Sequence, residues 1–156
     1  YDGEEELAQT PLLPHSVFNA MSQKSRGEVY LATNSGLALV RHRRELRSDQ
    51  LLIFDEAKGW ANEMINDVLY ESQNYEAHEQ DSQTGRLWLA TPRGLELINH
   101  GDIDQSRPRL KIQGATTAIG AGGNHEIWVA FGHNAVFCQF LGPLSDFSVD
   151  KYVLLS

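Results

Sequence analysis

The sequence predicts an all-β chain of three four-stranded antiparallel units, and three observations predict it. One phrase is written three times: Gly27-Glu28-Val29-Tyr30-Leu31-Ala32-Thr33-Asn34-Ser35-Gly36-Leu37, Gly85-Arg86-Leu87-Trp88-Leu89-Ala90-Thr91-Pro92-Arg93-Gly94-Leu95, and His125-Glu126-Ile127-Trp128-Val129-Ala130-Phe131-Gly132-His133-Asn134-Ala135. Its aromatic recurs at Tyr30, Trp88 and Trp128, at spacings of 58 and 40 residues. Repetition on that scale marks a stacked or radial architecture. Each copy is also flanked by short apolar runs and Gly or polar turns, giving four strands per unit. The fold class expected is therefore a partial β-propeller, about three four-stranded antiparallel blades of a larger ring, with units near residues 15–57, 64–114 and 115–156.

Strands are expected in order as follows. The first unit takes residues 17–22, 28–33, 37–41 and 51–55. The second takes 67–72, the Gly85 copy, 95–99 and 109–113. The third takes 116–121, the His125 copy, 135–140 and 151–155. Gly36 and Gly94 close the hairpin turns after the first two copies, where a positive φ is needed. Asn134 stands at that place in the third, and asparagine is the next most tolerant residue there. Residues 57–72 include helix formers, but Gly59 interrupts them and the apolar spacing is irregular, so residues 58–66 read as a loop with at most one helical turn.

Side chains on a strand alternate between its faces. In the first copy, Val29 and Leu31 take one face, and Tyr30 and Ala32 the other. Leu87 and Leu89 oppose Trp88 and Ala90 in the second copy, and Ile127 and Val129 oppose Trp128 and Ala130 in the third. A strand covered on one side only alternates apolar with polar. These are apolar on both faces, so each copy is expected between two packed layers. The large ring and the small Ala two residues on leave relief for a neighbouring sheet to interlock.

Composition narrows the function. The chain of 156 residues has an apolar share of 41% and a net charge of −8, the prior for one domain. That charge argues against a general nucleic-acid surface, which needs a basic footprint. The basic cluster Arg41, Arg43, Arg44 and Arg47 reads as a solvated strand edge and turn, where positive charge blocks edge pairing. No segment approaches the about 20 consecutive apolar residues of a helical membrane span. The single cysteine, Cys138, excludes an internal disulfide and sits in an apolar run, where it reads as a small buried hydrophobe. The chain begins at Tyr1 without a signal peptide and reads as an excerpt of something longer or as a processed piece.

A further regularity lies upstream of the aromatics. Phe18, Met21, Gly27, Val29 and Tyr30 fall at offsets 0, 3, 9, 11 and 12, and Thr116, Ile119, His125, Ile127 and Trp128 repeat them. Together with the Gly85–Leu95 phrase and the link Phe54-Asp55-Glu56-Ala57-Lys58-Gly59-Trp60, this resembles the two-component regulator propeller repeat. The pattern's Asp is replaced by Lys24 and Gly122, the second copy carries extra residues around 74–80, and the third lacks both glycines. The resemblance implies a periplasmic or extracytoplasmic sensor segment of a bacterial inner-membrane signalling protein. Any histidine kinase or diguanylate cyclase activity would lie elsewhere. It implies recognition of a small-molecule or carbohydrate ligand and brings no catalytic residue, metal or cofactor with it. The rival readings are a propeller enzyme of lyase or hydrolase type, and a plain assembly scaffold.

The densest polar stretch is the insertion at residues 71–81. Tyr75, Glu76, His78, Glu79 and Asp81 are the candidate ligand-binding residues, on a long loop of the kind that carries recognition on a rigid scaffold. Glu76, His78, Glu79 and Asp81 have metal-ligating chemistry too, although a solvated loop has the same composition. His125 and His133 flank one strand at opposite ends. Gly120-Ala121-Gly122-Gly123 precedes a strand rather than a helix, which excludes a dinucleotide loop. Three units are fewer than the four to eight blades of a closed ring. The expected partners are further blades, from a longer chain (the favoured reading) or from other copies.

Overall fold

The computed structural model describes residues 17–43, 48–54, 63–72, 85–99, 108–122, 126–132, 134–139 and 151–155. They form twelve strands: β1 (Phe18–Ser25), β2 (Glu28–Thr33), β3 (Gly36–Arg43), β4 (Ser48–Phe54), β5 (Asp67–Ser72), β6 (Gly85–Thr91), β7 (Gly94–Asn99), β8 (Arg109–Gln113), β9 (Thr116–Ala121), β10 (Glu126–Phe131), β11 (Asn134–Gln139) and β12 (Lys151–Leu155). These twelve coincide with the twelve expected to within a few residues at their ends. They make three four-stranded sheets, β1-β2-β3-β4, β5-β6-β7-β8 and β9-β10-β11-β12. Every neighbouring pair is antiparallel. Of the expected loop at residues 58–66, residues 63–66 are irregular, and 58–62 lie outside the described residues.

Register makes the three sheets superimposable in sequence. Tyr30 pairs with Ser22 and Leu39, Trp88 with Leu69 and Leu97, and Trp128 with Gly120 and Phe137. Turn chemistry supports the pairing. Gly36 and Gly94 have φ of 125° and 150°, values that L side chains rarely adopt. In each of these turns a buried threonine hydroxyl donates to the glycine carbonyl: Thr33 to Gly36 at 2.8 Å and Thr91 to Gly94 at 2.9 Å. The third turn is built differently. Its positive-φ glycine is Gly132, at 57°, while Asn134 opens β11 opposite Phe131. With Phe131 in place of the threonine, that hydroxyl clasp is lost, and the left-handed residue sits two positions earlier.

The sheets pack face to face in sequence order, the first on the second and the second on the third. Their first strands lie side by side, β1 against β5 and β5 against β9. One apolar cluster fills the first interface. Tyr30, Ala32, Leu37, Leu39 and Phe54 of the first sheet meet Val68, Leu87, Leu89 and Ile98 of the second. Another fills the second interface, where Trp88, Leu95 and Leu97 meet Ile127 and Val129. Tyr30 and Trp88 are both fully buried.

The central sheet is covered on both sides, and every residue of β6 is buried. The end sheets depart from the expectation of two covered faces. Trp128 is 41% exposed and Met21 73%, and Val29 and Leu31 are half-buried. The reason is positional: the third sheet gives its Ile127–Val129 face to the second, which leaves Trp128 on the far side. Arg41 departs as well. It lies on β3, between β2 and β4, and its guanidinium Nε bonds Glu28 at 2.8 Å, so it is part of an ion pair within the sheet rather than an edge charge.

Candidate functional site

Polar side chains concentrate where the sheets meet. At the first interface, the carbonyl of Ile65 accepts a bond of 2.8 Å from the Asn19 side-chain amide. At the second, the carbonyl of Thr116 accepts one of 2.7 Å from the Asn66 amide. The two asparagines occupy the same place in their repeats, one residue before the partner of the repeat's alanine: Ala20 pairs with Ala32, and Asp67 with Ala90. Each amide therefore reaches from one first strand to the start of the next. Asp67 adds a carboxylate oxygen that accepts the Ile119 amide at 2.8 Å, and the Ser22 hydroxyl accepts the Tyr70 amide at 2.9 Å. Buried carbonyls and amides need such partners, because an unmet one costs the full desolvation of the group.

A second cluster lines a small pocket at the first interface, between Glu63, Ile65, Leu89, Thr91, Arg93 and Glu96. Arg93 bridges two carboxylates, Glu63 at 2.6 Å and Glu96 at 2.9 Å. Glu96 is 4% exposed. Its position on β7 opposite Leu89 turns it inward with the apolar face. Burial pushes its carboxyl above the ordinary glutamate range, against the opposing pull of Arg93 and the Thr91 hydroxyl. Its chemistry is that of a carboxyl whose neutral form burial favours, clamped by a guanidinium.

The strand ends at the opposite side carry ion pairs. In the first sheet Glu28 is held by Lys24 at 3.5 Å, Arg41 at 2.8 Å and the Ser25 hydroxyl at 2.9 Å. Burial pushes the Glu28 carboxyl up, but the Ser25 hydroxyl, Lys24 and Arg41 together outweigh it, and the group lies below the ordinary range. In the second sheet the charges are exchanged: Arg86 holds Glu71 at 3.0 Å. The Trp88 indole N–H donates to the same carboxylate at 2.8 Å, and the guanidinium stands 5.9 Å from the Trp88 ring centre. Gly85, at the start of this strand, leaves room for the Tyr70 ring, which a Cβ there would have to displace.

The candidate ligand residues Tyr75, Glu76, His78, Glu79 and Asp81 fall in the connection between β5 and β6, outside the described residues. So do His125 and His133. His42 is exposed on β3. Cys138 lies on β11 in register with Tyr152. Among the described residues no three His, Cys, Asp or Glu side chains gather as a metal site. The asparagine latch and the Glu63–Arg93–Glu96 bridge were missed in the sequence. The latch had a signal: Asn19 and Asn66 stand at matching distances before the Tyr30 and Trp88 copies once the long β5–β6 connection is discounted.

No family model matches the chain, and no curated protein matches it. Two solved structures are similar. One, described as a 2S albumin seed protein from Dolichos, has a TM-score of 0.48 and 12% identity over 89% of this chain and 66% of its own. The other, PorZ, a surface component of the type-IX secretion system of Porphyromonas gingivalis, has a TM-score of 0.43 and 14% identity over 89% of this chain and 22% of its own. This chain thus spans under two thirds of the first neighbour's length and less than a quarter of the second's.

Proposed function

We propose that this chain is an arc of a β-propeller that acts as a non-catalytic recognition module, the extracytoplasmic sensing part of a bacterial signal-transduction protein of the two-component regulator propeller type. One observation carries the propeller part. Three meanders stack with the same polarity at both interfaces, ring-and-alanine face onto aliphatic face, with their first strands adjacent. Blades around an axis are arranged this way, innermost strand first. The sensing part rests on the repeat's resemblance and on the polar β5–β6 connection. Tyr75, Glu76, His78, Glu79 and Asp81 there supply an aromatic ring and several acceptors, the chemistry that grips a sugar.

Calorimetric titration of the chain with a set of neutral and acidic oligosaccharides tests it. Saturable binding is expected, lost on replacing Tyr75, Glu76 and His78 together by alanine while the far-ultraviolet circular dichroism stays unchanged. Conversion of an oligosaccharide to products, or binding indifferent to that replacement, would overturn the reading.

A further inference from the structure

One fastening of the repeat is built differently in the second sheet. In the first sheet the Asn34 amide donates to the Val17 carbonyl at 3.1 Å, and in the third the Gly132 amide donates to the Ala115 carbonyl at 3.1 Å. These bonds are equivalent. Asn34 and Gly132 each follow the last residue of a second strand, Thr33 and Phe131. Val17 and Ala115 each stand three residues before the partner of the repeat's alanine, Ala20 and Ala118. Each bond thus ties a turn to the stretch that leads into its own first strand. In the second sheet Pro92 takes the donor's place and Met64 the acceptor's, and proline has no N–H to give. Side chains make the tie instead: Arg93 reaches Glu63 at 2.6 Å and Glu96 at 2.9 Å.

Glu96 is also foreign to its position. It pairs with Leu89, whereas Ala38 pairs with Leu31 in the first sheet and Val136 with Val129 in the third. A carboxyl therefore stands where the other two sheets have an apolar residue, and it is 4% exposed. The groups acting on it are Arg93 from the turn, Glu63 from the segment leading into β5, and the Thr91 hydroxyl of β6. On its other side β8 sets Leu110 opposite Glu96 and Arg109 opposite Leu97. Burial and the Glu63 charge favour the neutral carboxyl, Arg93 and the Thr91 hydroxyl favour the charged one, and burial prevails. The pocket between these groups is about 20 Å³, the size of a single water, which leaves no room for a molecular ligand.

We infer that the Glu63–Arg93–Glu96 tie is a proton-linked fastening of the β6–β7 turn to the segment leading into β5, held while Glu96 carries a proton and loosened when it ionises. With Glu96 charged, two carboxylates share one guanidinium. With Glu96 neutral, Arg93 belongs to Glu63 and the three groups carry no net charge. The Arg93 and Glu63 side chains are 55% and 37% exposed, where an ion pair alone holds weakly, so the charge on the buried partner decides. Lifting the segment off the turn hydrates Glu96 and returns its carboxyl toward the ordinary range. The fastened form therefore binds the proton more tightly, and acid favours it. The fastening is fully made below the ordinary glutamate pKa and is lost as pH rises through the raised one. The same segment spans two sheets: the Ile65 amide donates to the Thr33 carbonyl at 2.9 Å, and the Asn66 amide to the Ala90 carbonyl at 2.8 Å. A change at the turn is thus felt where the first sheet meets the second. None of this depends on the ligand proposed above.

Amide exchange of the wild-type chain across the acid range, read by nuclear magnetic resonance and divided by the intrinsic rate at each pH, tests the inference. Protection of the Asn66 amide should rise severalfold as pH falls through the Glu96 titration, and that of Ile65 should follow. The Gly132 amide, which makes the backbone form of the tie in the third sheet, should not follow. Glu96→Gln should show the high protection at every pH. Glu63→Gln should move the response to lower pH, because the charge that opposes ionisation of Glu96 is then gone. Asn66 protection that tracks Gly132 at every pH overturns the inference, as does a response that survives Glu96→Gln or stays in place in Glu63→Gln. Should either variant fail to fold, carbon-13 titration of the wild-type Glu96 carboxyl replaces it. The rise in Asn66 protection must set in at the midpoint of that titration as pH falls, and a rise that sets in elsewhere overturns the inference.

Discussion

Replacing Asn66 separates a structural latch from a surface asparagine. Its side-chain amide donates 2.7 Å to the Thr116 carbonyl, and Thr116 is fully buried. Asn66→Ala removes the donor and leaves that carbonyl facing carbon. A typical intramolecular hydrogen bond contributes about 1 kcal/mol net, and an orphaned buried acceptor costs about 1–3 kcal/mol. The expected loss is about 2 kcal/mol. Asn66→Asp is harsher at neutral pH, because a carboxylate oxygen then faces the carbonyl oxygen, with Asp67 next in sequence. The substituted carboxyl regains a donor when protonated, so its folded pKa lies above its unfolded value. Its deficit is therefore fully developed above the folded pKa and shrinks as pH falls toward the unfolded one. Urea unfolding followed by circular dichroism, with wild type and both variants at neutral and acid pH, reads all of this. An Asn66→Ala loss inside about 0.5 kcal/mol, the scatter of inert surface changes, would refute the latch. So would an Asn66→Asp deficit that does not shrink in acid.

Trp88→Ala should cost about 3–5 kcal/mol, the range for a fully buried large aromatic, because the ring fills the second interface and its N–H is bonded to Glu71; a urea-unfolding loss below about 2 kcal/mol would contradict that packing. Glu96 and Glu28 should give opposite pH dependences. The folded carboxyl of Glu96 is raised, so wild type loses stability relative to Glu96→Gln as pH rises through that folded pKa. The folded carboxyl of Glu28 is lowered, so wild type loses its advantage over Glu28→Gln as pH falls through it. Unfolding free energies across the acid range, taken as differences from each variant, check both signs.

Most of the fold was legible because its determinants are local. Period-two alternation over Val29-Tyr30-Leu31-Ala32 and its copies marks strands, and Gly36 and Gly94 mark turns that only a left-handed residue closes. Ring-and-alanine spacing also told which positions interlock. What the alternation could not tell is which apolar face has a partner. Leu89 and Val29 look alike in sequence, yet one lies in an interface and the other at the end of the stack. Polar contacts across interfaces were equally hidden. Arg93 bridges Glu63 and Glu96, thirty and three residues away, and no short-range pattern announces a bond between a loop and a neighbouring hairpin. Arg41 was misread for a related reason: a run of arginines looks like an edge until register puts Glu28 directly opposite.

Near-identical repeats carry a hazard that the charges here oppose. A second strand that fits its own first strand also fits the first strand of the next repeat, and repeat chains misassemble in this way. The exchanged ion pairs work against it. Lys24 sits with Glu28 in the first sheet, and Glu71 with Arg86 at the matching place in the second. Pairing β1 with β6 would bring Lys24 to Arg86, and pairing β5 with β2 would bring Glu71 to Glu28. Both exchanges set like charges together, and the first does so at the Arg86 side chain, only 5% exposed, where breaking a pair is strongly destabilising. Apolar faces that follow one rule at every interface let the sheets stack in series. Charges that change sign between repeats keep each strand in its own sheet, so affinity between sheets and identity of each sheet are encoded by different residues.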